Sequence, residues 1–322
     1  MESTGKVFFD KRVLLPLVSS LLALGLHIFL PKHSDILAKD LSYFTYSLAG
    51  LSAVCAVFAI MSLYSERVRV AYAYKSAFIA GMILLVNIYN VITLKFMVIP
   101  GVYFPYPDKI IHVFYTHGLF MLKCLAHSLG LLGLGVFGGG ITGVLTGIAV
   151  GCSKRASYWI NPFIKLIGPI PAIVWIPIAL VVFSTSFSAS AFIIGLSVWF
   201  PTAVLTSSGI ANIENAYFEV SSTLGASPLY KVLKIAVPGA LPSMFIGFFN
   251  GITSAFLTLM TAEMVGVKFG IGWYINWQRE TMSYANVYAG LIVIGITCFL
   301  VVTLLFKTRD KLLIWQQGVI KW

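Results

Sequence analysis

The sequence predicts an all-α polytopic membrane protein, and three observations carry that prediction. Of 322 residues, 59% are hydrophobic and 10% charged, with a mean hydropathy of +0.92. A soluble chain of this size needs far more charge to cover its surface. Apolar runs of about 20 residues, the length that crosses a bilayer as a helix, recur along the whole chain. The basic residues between those runs are unequally shared. With the N-terminus inside, fifteen of the 22 lysines and arginines fall on the inner side, Lys154, Arg155, Lys165, Lys231 and Lys234 among them. Seven fall outside, counting Lys95 and Lys123 as snorkelling outward. Both termini then lie on the inner side. The net charge of +11 is mostly this topology signal and implies no nucleic-acid partner.

Eight spans are predicted, at residues 13–30, 41–64, 71–99, 119–150, 164–183, 189–208, 240–265 and 287–306. The first has basic flanks at Lys11 and Arg12 but ends in Leu30-Pro31-Lys32 without a small-residue cleavage site, so it is expected to be retained. In the fourth, Gly135, Gly139, Gly143, Gly147 and Gly151 recur every four residues, a stripe that lets another helix backbone approach closely. Tight internal packing and a subunit or sliding interface are both open readings of it. The fifth carries Pro169, Pro171 and Pro177, so its helix must bend or break. Such a break suits packing alone or a lined route. In the seventh, Asn250, Ser254, Thr258 and Thr261 share one narrow helix face, which makes them pathway candidates. Glu263 lies on nearly the opposite face. A carboxylate there must be paired or wet; near the outer end, solvation or Lys268 is the expected relief, and structural support near an outer gate the expected role. Residues 266–285 mix Trp273, Tyr274, Trp277 and Tyr284 with Lys268, Arg279 and Glu280, as an interfacial segment does.

Between the sixth and seventh spans lies a polar island, EVSSTLGASPLYKVLKIAVP at 219–238. It reads as two short helices joined at a glycine: a first to Leu224, Gly225 as the residue past its end, then Ser227 as N-cap with Pro228 in the first turn. Pro238 is expected to close the unit. Charge alone places this island on the inner face.

The island resembles the cytoplasmic signature loop of permeases of binding-protein-dependent ABC importers, through Glu219-Val220-Ser221, Gly225, Ile235 and Pro238. Val220 and Ser221 stand where that family usually has alanines. From about residue 71 the chain also resembles the branch serving nitrate, sulfonate, taurine and bicarbonate. The resemblance there rests on Tyr103-Phe104-Pro105-Tyr106-Pro107, His127-Ser128-Leu129, Pro169-Ile170-Pro171, Trp175-Ile176-Pro177, and Glu263 followed by Gly270-Ile271-Gly272. It implies a type I importer core of six helices at 71–322, with its coupling loop at about 209–239 and an extra two-helix hairpin at 1–70. That hairpin is a scaffold or a dock for an accessory subunit or binding protein. Two cytoplasmic ATPases would hold the ATP and magnesium and receive the loop. Glu219 would anchor it by an ion pair or by capping amides, Leu224 would end its first helix, and Gly225, Ala226 and Ser227 would keep the bend close. An extracytoplasmic solute-binding protein and a second permease copy complete the expected assembly in a prokaryotic cytoplasmic membrane. Trp175 and Glu263 join the pathway candidates on this basis.

Other chemistries lack their devices. The chain has no G-x-x-x-x-G-K-[ST] loop, no H-E-x-x-H and no G-x-S-x-G. Its five histidines are scattered, and Cys55, Cys124, Cys152 and Cys298 lie in or beside apolar runs without ligand spacing. No cofactor, metal or catalytic residue is expected in the chain itself. An ATPase-independent secondary transporter or channel is the rival reading, and a membrane scaffold a further one. The former leaves the loop unexplained, and no inverted repeat is evident.

Overall fold

The computed structural model describes residues 11–31 and 42–313. Lys6, Lys32, Lys39 and Lys321, used in the charge count, lie outside the described residues, as do both termini. Among the described residues, twelve α-helices follow in order: α1 (Leu15–Phe29), α2 (Tyr43–Tyr64), α3 (Glu66–Asn90), α4 (Pro107–Cys152), α5 (Lys154–Ile167), α6 (Ile176–Val182), α7 (Ser186–Ala211), α8 (Asn215–Thr223), α9 (Pro228–Lys231), α10 (Val237–Val265), α11 (Ile271–Glu280) and α12 (Tyr284–Leu312). Among the described residues, seven helical runs are long and apolar enough to cross a membrane, or eight if α5 and the bent segment after it form one span. The predicted 119–150 is the apolar part of the 46-residue α4. Its first turns carry Asp108, Lys109, His112 and His117, which lower the hydropathy without breaking the helix.

The chain forms two compact units, one of residues up to Gly118 with Gln278–Ala289, the other of Leu119–Trp277 with the residues from Gly290 on. In the first, α1, α2 and α3 pack around Ala23, Phe44, Leu48, Cys55 and Ile83. The Asp108 carboxylate accepts the Phe44 amide at 2.7 Å, satisfying one open donor at the start of α2. Lys95 does not snorkel outward. It is buried, and its ammonium donates to the His27 and Leu30 carbonyls at 2.6 Å each, where the end of α1 favours a cation. His27 also contacts Thr45 Oγ1 at 3.1 Å and Asn90 Nδ2 at 2.9 Å.

The second unit is built on α7 and α10, with Leu131, Ile194, Val198, Ala255, Phe256 and Leu259 in its core. The glycine stripe of α4 is spent here on internal packing. A methyl on Gly135 would meet Ile194, on Gly139 the backbone of Gly195, on Gly143 Thr202, on Gly147 Thr206, and on Gly151 Ile210. Gly147→Val should therefore lower the thermal midpoint in detergent, because its Cβ would stand 2.7 Å from the Ala203 carbonyl; overpacking of this kind costs about 1–3 kcal/mol. Gly133, whose added methyl meets nothing, is the control. Gly133→Ala should leave the midpoint unchanged or raise it, since glycine costs a helix interior about 1 kcal/mol.

The fifth predicted span is broken, as its prolines require, but it is not one crossing helix over 164–183. Helix α5 begins earlier, at Lys154, behind a Ser153 cap. The following Ala172–Val182 segment is turned 88° from it. The break lies at 168–171, where Pro169 and Pro171 offer no N–H. Pro177 stands in the first turn of α6, a position where its missing donor costs nothing.

Candidate functional site

Local chemistry builds the elbow between α7 and α10. Helix α8 stops because Gly225 takes φ +75°, a left-handed conformation that side chains with a Cβ rarely adopt. The Ala226 amide donates to the Ser221 carbonyl at 2.9 Å and the Gly225 amide to that of Ser222 at 3.0 Å, the paired bonds of a Schellman stop. Ser227 then caps α9 by accepting the Tyr230 amide at 3.3 Å, with Pro228 in the first turn. Across the bend, the Lys231 ammonium donates to Ser222 Oγ at 2.6 Å, and Ser222 Oγ donates to the Phe218 carbonyl at 2.6 Å.

The elbow exposes large apolar side chains among its polar ones. Leu224 is 82% exposed and Val220 58%, while Ser221 is buried and Ala226 and Ile235 are half-buried. Glu219 is exposed. It makes neither the ion pair nor the amide cap expected of it within the described residues, so its carboxylate is open to another molecule. Pro238 does not close the unit. Helix α9 continues through a π turn at Val232–Ala236 into α10, and Pro238 falls in the first turn of α10. The wider π ladder absorbs the bond that proline cannot make. The elbow is thus continuous with a 38-residue helical run, Pro228–Val265. Behind it a cavity of about 380 Å³ is lined by Gly151, Cys152, Ile210, Phe218, Pro228 and Lys231.

A second cavity, of about 310 Å³, opens at the broken segment. Gly168, Ile170 and Pro171 line it together with Ser197 of α7 and Ser254 and Thr258 of α10. Two of the four residues on the polar face of α10 therefore meet the break. Asn250, one turn from Ser254, is exposed but does not line this cavity, and Thr261 is half-buried outside it. The Thr258 and Thr261 hydroxyls donate to the Ser254 and Leu257 carbonyls of their own helix, which leaves Ser254 as the exposed hydroxyl of the stripe. Trp175 lies past the break, packed beside Ile176, Ala179, Ala189 and Ile193, and is not in the cavity wall.

Glu263 is fully buried, and Lys268, which is exposed, is not its partner. One carboxylate oxygen accepts from Ser128 Oγ at 2.6 Å and the other from the Gly272 amide at 2.7 Å. Ser128 Oγ in turn accepts the Ile271 amide at 2.9 Å. The carboxylate thus ties α4, α10 and the start of α11 together, at a helix terminus suited to negative charge. The glycines of Gly270-Ile271-Gly272 make room for it. Gly270 has φ +139°, and a methyl on Gly272 would lie 2.9 Å from Glu263 Cβ. Burial pushes the neighbouring Tyr274 phenol up to about 12, so it remains protonated. Glu263 is an inter-helix clamp and lies outside the wall of the second cavity.

Sequence reasoning missed the Lys231–Ser222 tie, the Ser128 bridge and the place of Ser197 in the cavity wall. Only His127-Ser128-Leu129 was singled out beforehand. His127 itself packs edge-on against Phe187 and Phe269, at 5.5 and 5.6 Å between ring centres. Among the described residues no group of three or more His, Cys, Asp or Glu is placed to hold a metal ion.

Comparison with known proteins adds to this geometry. The family described as "Binding-protein-dependent transport system inner membrane component" matches residues 139–313. The chain is 28% identical over 195 residues to the taurine transport system permease protein TauC of Escherichia coli (strain K12), covering 61% of this chain and 71% of that protein. To the nitrate import permease protein NrtB of Leptolyngbya laminosa it is 30% identical over 194 residues, 59% of this chain and 69% of that protein. Among solved structures, the inward-facing MetNI methionine ABC transporter in its CY5 native crystal form gives a TM-score of 0.52 at 18% identity. That match covers 60% of this chain and 95% of that chain and is a likeness of fold.

Proposed function

The chain belongs to the family of binding-protein-dependent transport system inner membrane components, and from that premise we propose how its elbow and its broken helix work together. It is the transmembrane subunit of an ATP-driven importer. The elbow carries this reading: a bend fixed at Gly225, an exposed apolar surface at Val220 and Leu224, and one continuous helical run from α9 into α10. Two cytoplasmic ATPase subunits, which bind ATP and magnesium, grip the elbow. Their closure moves α10, and with it the cavity beside 168–171, so that the route opens to one side and then the other.

A solute-binding protein delivers the solute outside, and both termini lie in the cytoplasm of a prokaryotic cell. A second copy of the chain completes the route, because the exposed Asn250 and Ser254 of α10 are polar groups that lipid cannot satisfy. Glu219 reaches the ATPase rather than its own chain. The first two helices form a scaffold hairpin additional to the six-helix core. The relatives named for taurine and nitrate favour a small anion as solute.

Reconstitution tests this. Liposomes carrying the chain with its ATPase should take up solute only with ATP and the binding protein present. Solute flux through the chain alone, without an ATPase, would establish the secondary-transporter reading instead. Within the same assay, the double variant Asn250→Leu/Thr258→Leu should slow uptake by roughly tenfold, the effect of about 1.4 kcal/mol on the barrier, with the ATPase still co-purifying. An unchanged rate removes this face from the route.

A further inference from the structure

We infer that Lys231 is the strut of the elbow, a positioning residue whose ammonium keeps α8 at a set angle to the α9–α10 run so that a load on α8 reaches α10; this rests on the coupling reading above. Gly225 decides where the chain turns, but a single residue is only a pivot. A methyl placed on it would meet nothing within 4 Å, so no neighbour presses on the pivot to set its angle. The backbone bonds of the helix stop come from the Gly225 and Ala226 amides and reach no further along the chain. Phe218 seats the middle of α8 against Ala236, Ala240 and Met244, an apolar contact that is non-directional and lets the helix swing. Among the described residues, the one side-chain hydrogen bond that joins α8 to α9 is that of Lys231 to Ser222.

The chemistry of that bond suits a strut. Ser222 Oγ gives its proton to the Phe218 carbonyl at 2.6 Å, which leaves only lone pairs for an approaching donor. Ser222 stands in the last turn of α8, where the open carbonyl end of the helix favours a cation. Lys231 is half-buried and lines the elbow cavity beside Phe218 and Pro228, so its apolar stem has a wall to lie on while its head reaches the hydroxyl. It is also the last residue of α9, directly before the π turn that leads into α10. The bond therefore ties the end of α8 to the head of the helical run that continues to Val265.

The strut can be tested without knowing the solute. In lipid nanodiscs holding the importer with its ATPase, and with Cys152 and Cys298 replaced by serine, Ser254→Cys reports on the cavity at the break through its rate of labelling by N-ethylmaleimide. Rates are taken without nucleotide and after trapping with ATP, magnesium and vanadate, and the ATPase bound per permease is measured alongside. Trapping should change the rate, and Lys231→Met should shrink that change by roughly threefold, the scale of one solvent-exposed hydrogen bond. Ser222→Ala should do the same, the double variant should do no more, and Lys231→Arg, which keeps the donor, should retain the full change. A full change in Lys231→Met, a double variant whose effect is the product of the two singles, or a loss that only tracks lost ATPase would overturn the strut alone. A rate that trapping does not move even with Lys231 present would overturn the coupling reading itself.

Discussion

Gly225→Pro should abolish ATP-driven uptake while leaving the protein in the membrane. The φ of +75° at this residue lies outside the range of proline, which is held near −65°. The substitution also deletes the amide that donates to the Ser222 carbonyl at 3.0 Å. Both halves of the helix stop fail together, at a local cost of about 3 kcal/mol, and α8 and α9 lose their fixed angle. The spans, whose packing lies elsewhere, are untouched. If the elbow transmits force, that cost is charged to the coupled step, and uptake falls by roughly 100-fold. Ala226→Glu places a charge on the same bend and should act in the same direction. The measurements are membrane abundance, ATPase rate and uptake in the same vesicles. Normal abundance with lost uptake and persisting ATP hydrolysis is the expected pattern, and unimpaired uptake rules out the elbow as the coupling element.

Glu263→Ala should be the most destabilising substitution in the second unit, by about 3 kcal/mol or more. It removes two hydrogen bonds to a fully buried carboxyl group, and each buried partner left unsatisfied costs roughly 1–3 kcal/mol. It also leaves the Gly272 amide and Ser128 hydroxyl without that acceptor, at a helix start where three elements meet. Glu263→Gln keeps an acceptor for the amide and should lose only part of this. Gly272→Ala attacks the same clamp by crowding Glu263 and should move stability the same way. Denaturation in mixed micelles measures all three. Equal stability of Glu263→Ala and wild type contradicts the clamp.

What the sequence made legible follows from how local each determinant is. The spans, the Gly225 stop, the Ser227 cap and the proline break depend on residues a few positions apart, and these were readable. The fate of Pro238 was not, because a π turn just before it lets the helix continue, and nothing in the composition of VLKIA marks that turn. A structural role for Glu263 was readable, but its partner was not: neither solvation nor the nearby Lys268 relieves it, whereas Ser128 lies 135 residues away and reaches it only through packing. Lys95 failed for the same reason: its acceptors are carbonyls of α1. The glycine stripe declared a close approach but not its partner, which only the surface of α7 reveals. The four-residue polar face of α10 was readable as a stripe. Its division between cavity, surface and helix backbone depends on where α5 breaks.

The central claim is that an ATPase grips this elbow. The most direct measurement places a photo-crosslinking amino acid at Leu224, the most exposed apolar residue of the bend, in cells that express the complete importer. The account predicts a crosslink to a nucleotide-binding subunit, formed from the cytoplasm and lost when that subunit is deleted. A probe at Leu224 that labels from outside the cell, or that captures no such subunit, contradicts it.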